Sequence, residues 1–291
     1  MDAQDLKKSA NPSSVDILAA LSDSGYLMEQ RVASSLEELG FHVKTNRAYE
    51  DPDEGKSREI DVSALKSCHV DQEHNVALSV ELIVECKNFK LPVVTITRRK
   101  NEFDRRDAPK EHLFPFADYF LPVPGKDNTV YKKHPYFAFG LDKVDPLFHA
   151  DSKGVQFCRI DGHRKKWEAN HSGMHESILL PVIKATIARR NEIAKTNGKG
   201  WSHVWLAYSV VVLSNELYVV DSHDPSVAQQ VGWATLVRDN KSATIDGRYA
   251  ISFVTEDAMQ DFIAQVIDPV VNHLKRAVEE NPKQFKDQYI R

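Results

Sequence analysis

The sequence predicts an α/β fold, a mixed sheet with helices packed on it, and three observations carry that expectation. Val76–Asn88 contains a strand in which Val80, Leu82 and Val84 recur at period two. Gly25–Leu39 places Met28, Val32, Leu36 and Leu39 at the spacings of three and four that build one helical face. The C-terminal third then alternates strong strand segments with turns and closes on an apolar-faced helix.

The chain has 291 residues, 42% hydrophobic and 27% charged, with a formal net charge of −4. That length easily buries a core, and the composition is that of a soluble globular protein. It has no apolar run long enough to span a bilayer and no basic-then-apolar leader at the N-terminus, so a membrane partner is not expected. Cys68, Cys86 and Cys158 lack metal-knuckle spacing and cannot all pair, which fits free thiols in a reducing cytoplasm. The charge is unevenly spread. Between Cys86 and Gly200 there are 22 Lys and Arg against 13 Asp and Glu, a basic middle suited to a phosphate backbone or simply to a solvated surface.

In chain order, residues 1–14 read as a loose polar tail, and residues 15–291 as one domain. Val15–Ser22 forms a short helix or turn, and the amphipathic helix from Gly25 stops at Gly40, a left-handed cap position. Glu29 lies beside its apolar stripe. Phe41–Asn46 is the first strand, Glu50–Lys56 a Pro- and Gly-marked loop, and Ser57–Leu65 the second strand. On that strand Ile60, Val62 and Ala64 are expected on one face, with Glu59, Asp61 and Ser63 on the other. The loop at His69–Asn75 returns the chain into Val76–Lys87, giving a hairpin with Asp61 on one arm and Glu85 and Lys87 on the other.

Beyond Asn88, Leu91–Ile96 is a short strand, and Arg98, Arg99 and Lys100 open an elaboration running to about residue 170. Its aromatics (Phe114, Phe116, Tyr119, Tyr136 and Phe139 among them) are read as an extra packed layer rather than a base-stacking platform. Ser172 is expected to cap a helix over Gly173–Lys195 that kinks at Pro181. Strands follow at His203–Leu213, Leu217–Val220, Trp233–Val237 and Tyr249–Val254, and Thr255 is expected to cap a last helix bent at Pro269.

The chemistry-bearing feature is the end of the third strand. An acid two residues before a lysine occurs five times, at Asp5–Lys7, Glu54–Lys56, Glu85–Lys87, Asp151–Lys153 and Asp239–Lys241, but only Glu85–Lys87 closes a hydrophobic strand. Half-burying a carboxylate and an ammonium there is costly. Either they form an ion pair at the sheet rim, or they serve a site.

The order of a helix with Glu29, a strand, a strand with Asp61 and a strand ending Glu85-Cys86-Lys87 resembles the PD-(D/E)-x-K nuclease superfamily over about Gly25–Asn88. The resemblance implies a restriction-endonuclease-like αβββαβ core with a sizeable insertion, and a Mg²⁺-dependent nuclease, Mn²⁺ substituting, that cuts nucleic acid, DNA favoured. It implies Asp61 and Glu85 as metal ligands, Lys87 as the lysine beside the attacking water, and Glu29 as a helix acid completing the shell. The backbone carbonyl of Cys86 would be a further metal ligand, and Arg98, Arg99 and Lys100 would contact nucleic acid. Asp61 follows Ile60 rather than proline, and the connection from Asp61 to Glu85 is long. Two oxygen-donor acids suffice for Mg²⁺, which keeps several waters. The resemblance is compatible with a homodimer and with a role in phage defence. The competing expectation is a catalytically inactive nucleic-acid-binding or scaffolding protein of the same fold.

Overall fold

The computed structural model describes residues 11–163, 166–197 and 200–286. Residues 1–10 of the expected tail lie outside them; Ser13 follows, and its hydroxyl accepts the Asp16 amide to start α1 (Ser14–Ser24). Gly25, at φ +90°, turns the chain from α1 directly into α2 (Tyr26–Glu38).

Then come β1 (His42–Glu50), β2 (Ser57–Asp71), β3 (Val76–Lys87) and β4 (Val93–Arg99). A two-stranded ribbon, β5 (Tyr119–Pro122) with β6 (Val130–Lys133), precedes the one-turn helices α3 (Pro135–Ala138) and α4 (Pro146–His149). The hairpin β7 (Ser152–His163) with β8 (Lys166–Asn170) leads to α5 (Leu180–Ala194). The remainder is β9 (Ser202–Leu213), β10 (Leu217–Asp221), β11 (Asp224–Val231), β12 (Trp233–Lys241), β13 (Asp246–Thr255), α6 (Met259–Phe262) and α7 (Asp268–Glu280).

Among the described residues, one mixed sheet runs in the order β1-β2-β3-β9-β13-β12-β7-β4-β10-β11, with β8 paired to β7. β1, β2 and β3 are an antiparallel meander, and β9 lies parallel to β3 in continuous register from Val76↔Ser202 to Lys87↔Leu213. A strand covered on both faces loses the apolar–polar alternation of a half-exposed one. That is why Leu82 to Cys86-adjacent Glu85 and Val204 to Leu213 are buried almost without interruption.

One face of the meander carries α2 and α7. Met28, Val32 and Leu36 pack there with Val62, Ala64, Leu82, Val84, Val270 and Leu274. The other face carries α5, whose Val182 and Ile183 pack with Ile83, Val211 and Leu213. Fully burying each such side chain contributes about 1.5–3 kcal/mol. α5 is also pinned by charge. The completely buried Glu81 accepts from Arg189 Nε at 2.8 and 2.9 Å, from Trp205 Nε1 at 2.9 Å and from Ser63 Oγ at 2.7 Å. This one carboxylate thereby ties β3 to β2, α5 and β9.

The structure departs from the sequence reading in instructive ways. The segment expected as an elaboration from Arg98 to about residue 170 is only partly one. Its aromatics do form a layer, with Phe114, Phe116, Tyr136 and Phe139 buried in the core on the α2 face, but β7 is a member of the main sheet between β12 and β4. β11 was not expected because nearly every residue in it is exposed, leaving no apolar periodicity to read. Ser172 and Thr255 make no capping bonds; the Asn170 side chain accepts the Ser172 amide instead. Pro181 and Pro269 each lie inside a continuous helical run, just after a wide π-turn (His175–Leu179 and Ile263–Ile267) that accommodates the missing N–H. Among the described residues, no helix is long and apolar enough to cross a membrane.

Candidate acid–lysine site

Asp61 reaches its position because β2 leaves both neighbours there. Its pairing with β3 stops at Val62↔Val84, and the β1 ladder skips the Asn46–Asp61 step. Asn46 sits in the left-handed region at φ +49°, which asparagine tolerates better than most side chains. The Cys86 amide, deprived of a β2 carbonyl, donates to Asp61 Oδ2 at 2.7 Å. The same splay corrects the face assignment. Val62 and Ala64 pack with α2, whereas Ile60, expected beside them, packs on the α5 side with Tyr49 and Ile83.

In a strand the N–H and C=O of one residue leave on the same side. The Cys86 carbonyl therefore points toward β2 and Asp61, while that of Lys87 points toward β9 and accepts the Ser214 amide. The Cys86 thiol is pushed far up by burial and by the charges of Asp61, Glu29 and Glu85, so it stays protonated.

Glu85 is 10% exposed at its side chain, and Lys87 Nζ donates to its Oε1 at 2.6 Å. Burial outweighs that contact. The Glu85 carboxyl is pushed up to about 7, first by desolvation and then by the Asp61 charge, with Lys87 pulling the other way. Asp61 is raised mainly by burial, against the Cys86 amide and Lys87. Glu29, in the first turn of α2, is raised by burial and by Asp61. Three carboxyl groups from α2, β2 and β3 thus feel one another around a single ammonium.

Two residues that the sequence did not single out complete the surroundings. Tyr49 is pushed up to about 12 by burial, by Asp51 and by Glu85, and its hydroxyl donates to the Pro181 carbonyl at 3.3 Å. Asn88, directly after Lys87, donates to the carbonyls of Ser22 and Asp23 at 2.7 and 3.3 Å, hooking the end of α1 to the site strand. A Cβ on Gly25 would stand 3.3 Å from that of Asn88, so the joint needs glycine for contact as well as for its φ. A tyrosine at the end of a strand and an asparagine after one carry no pattern that sequence reasoning could have used.

Arg98, Arg99 and Lys100 are not gathered with these groups. They lie at the end of β4 remote from the Asn88–Pro92 link, with Arg98 and Arg99 exposed. Lys100 is half-buried, donates to the carbonyls of Leu147 and Phe148, and is pulled down to about 8 by burial and by Arg105. Lys100, expected as a phosphate contact, thus has its ammonium on main-chain carbonyls in this structure.

Among the described residues, no group of three or more His, Cys, Asp and Glu side chains stands ready-made to hold a metal ion. The acids are neighbours in charge, with Glu85 turned onto Lys87 and Asp61 onto the Cys86 amide. No protein-family model, curated protein or solved structure matches the chain.

Proposed function

We propose that the chain is a metal-dependent nuclease of the PD-(D/E)-x-K type, restriction-endonuclease-like in its core, hydrolysing phosphodiester bonds of nucleic acid, DNA favoured. The observation that carries the reading is the meeting of Glu29, Asp61, Glu85 and Lys87 around one end of β3. The order α2-β1-β2-β3-α5-β9, with β9 parallel to β3, supports it as the αβββαβ arrangement that the resemblance implies.

The donor set suits a hard divalent cation: carboxylate oxygens, a nearby carbonyl and no soft ligand that is ionised. All three carboxyl groups are raised mainly by burial, and Glu85 and Glu29 also by the Asp61 charge, so a cation is favoured there. Asp61 and Glu85 would hold Mg²⁺ or Mn²⁺, with the Cys86 carbonyl and Glu29 as further oxygens. When bound, such an ion lowers the pKa of water and offsets charge on phosphate. Lys87, released from Glu85, supplies a compact positive charge for the oxygens that gain charge as the bond breaks. Tyr49 and the α1–α2 joint wall the site.

The test is cleavage of single- and double-stranded DNA and RNA by the purified protein with Mg²⁺, Mn²⁺ or EDTA. Cleavage is expected with either ion and none with EDTA; binding without cleavage under every condition would replace the proposal by an inactive nucleic-acid-binding protein.

Arg98 and Arg99 are the exposed basic pair left for backbone contact. Replacing both by alanine is expected to flatten the salt dependence of DNA binding by about two units of slope. Lys100→Ala should instead lower the melting temperature and leave the slope alone. An unchanged slope in the Arg98→Ala/Arg99→Ala protein assigns the pair to plain surface.

A further inference from the structure

A cavity of about 940 Å³ is lined from β4, β7, β9–β13, α4 and the segment before β5, and it includes none of Glu29, Asp61, Glu85 or Lys87. Its size is that of a small-molecule site. Seven carboxylate side chains line it against four basic ones, and the basic ones are already engaged. Lys153 donates to Asp104 at 2.5 Å, and Arg248 sits 3.4 Å from both Asp104 and Asp239. Lys110 donates to the Asp246 carbonyl at 2.9 Å, and Lys100 to main-chain carbonyls.

The negative charge is deepest where Glu111, Asp145 and Tyr208 come together, all three buried. Glu111 takes the Ala250 amide at 2.5 Å, and its carboxyl is pushed up to about 7 by burial. Asp145 takes the Tyr136 hydroxyl and the Leu147 amide, both at 2.8 Å, and burial pushes its carboxyl up against those bonds. His112, its ring 5.4 Å from that of Tyr208, is driven down to about 3 by burial and stays neutral. The Tyr208 hydroxyl is fully buried and has no hydrogen-bond partner among the described residues, although it lies in the field of both carboxylates. An unpartnered buried hydroxyl is costly, and a ligand in the cavity could supply the bond it lacks.

We propose that this cavity binds a small organic cation, an amine or amidine on an apolar or aromatic body, seated between the Glu111 carboxylate and the Tyr208 hydroxyl. An anion would meet the carboxylates. The apolar body has the faces of Phe148, Trp233 and Tyr249 to pack on.

The proposal is independent of the nuclease reading and is tested without any cleavage assay. The purified full chain is titrated calorimetrically with benzylammonium, benzamidinium, benzyl alcohol and benzoate, and its melting temperature is followed with each. The two cations are expected to bind and stabilise; the alcohol and the benzoate are not. Glu111→Gln, whose amide oxygen can still accept from Ala250, should erase the preference for cations. Tyr208→Phe should weaken cation binding about tenfold without lowering the melting temperature of the free protein, because no protein partner is lost. That second variant carries the test if Glu111→Gln fails to fold. Binding of neither cation, equal binding of benzyl alcohol, or full cation affinity in Tyr208→Phe overturns the proposal.

Discussion

Lys87→Ala is expected to lose about 10²–10³-fold in cleavage rate, roughly 3–4 kcal/mol of transition-state stabilisation, while folding and nucleic-acid binding survive. A charge that acts on the breaking bond lowers the barrier without contributing much to ground-state affinity, which many phosphate contacts share. The 2.6 Å contact with Glu85 adds a sharper expectation. Removing the lysine frees Glu85 from its competitor, so the variant should bind Mn²⁺ at least as tightly as the wild type and still fail to cut. Excess Mn²⁺ should not rescue it, whereas Glu85→Ala should recover partly as the ion is forced in. Wild-type cleavage by folded Lys87→Ala would reduce Lys87 to an ion-pair partner at a sheet rim.

The second large effect is on stability, and it needs no substrate. Glu85 is raised from 4.5 to about 7 in the folded protein. A carboxyl raised on folding contributes stability that is complete below its unfolded pKa and disappears as pH climbs through the folded one. At about 1.4 kcal/mol per unit, the ionised form penalises the native state by roughly 3 kcal/mol at pH 8. Glu85→Gln should therefore unfold at higher denaturant than the wild type near pH 8, the gap closing toward pH 5. Asp61 and Glu29 shift in the same direction and add to the wild-type slope. Mg²⁺ should recover the wild-type deficit at pH 8 and leave the glutamine variant unmoved. Equal destabilisation of Glu85→Gln at both pH values would show that the Lys87 contact, not desolvation, governs this residue.

How far the sequence reached depends on what each element must satisfy. α2 could be read because a helix half-sunk in a core must repeat Met28, Val32 and Leu36 at helical spacing, and β3 because its apolar run ends abruptly in Glu85 and Lys87. Both are local requirements of chain geometry. Ile60 could not be placed, because its face is set by a break in the ladder at Asn46 and Asp61 that depends on β1 and β3 together. The missing part of the candidate site has the same character. Tyr49 and Asn88 matter through Pro181 and the end of α1, contacts made by residues distant in the chain. Glu81, a lone acid inside an apolar strand, did carry a signal that went unused. A carboxylate there must be paired, and Arg189, Trp205 and Ser63 do so.

The parallel pairing of β3 with β9 also sets a clock. Glu81 and Trp205 bond across 124 positions of chain, and Lys87 lies beside Leu213 only once both strands are in place. Loops that long close late, and parallel pairing of distant segments is slow. During ribosomal synthesis, α2 and the β1–β3 meander emerge before α5 and β9, with one side of β3 unpaired and the α5 face of the hairpin bare. The acids and the lysine are then solvated and far from the perturbed state that burial gives them. The burial that raises Glu85 therefore waits on β9, whose Val211 and Leu213 pair beside Glu85 and Lys87.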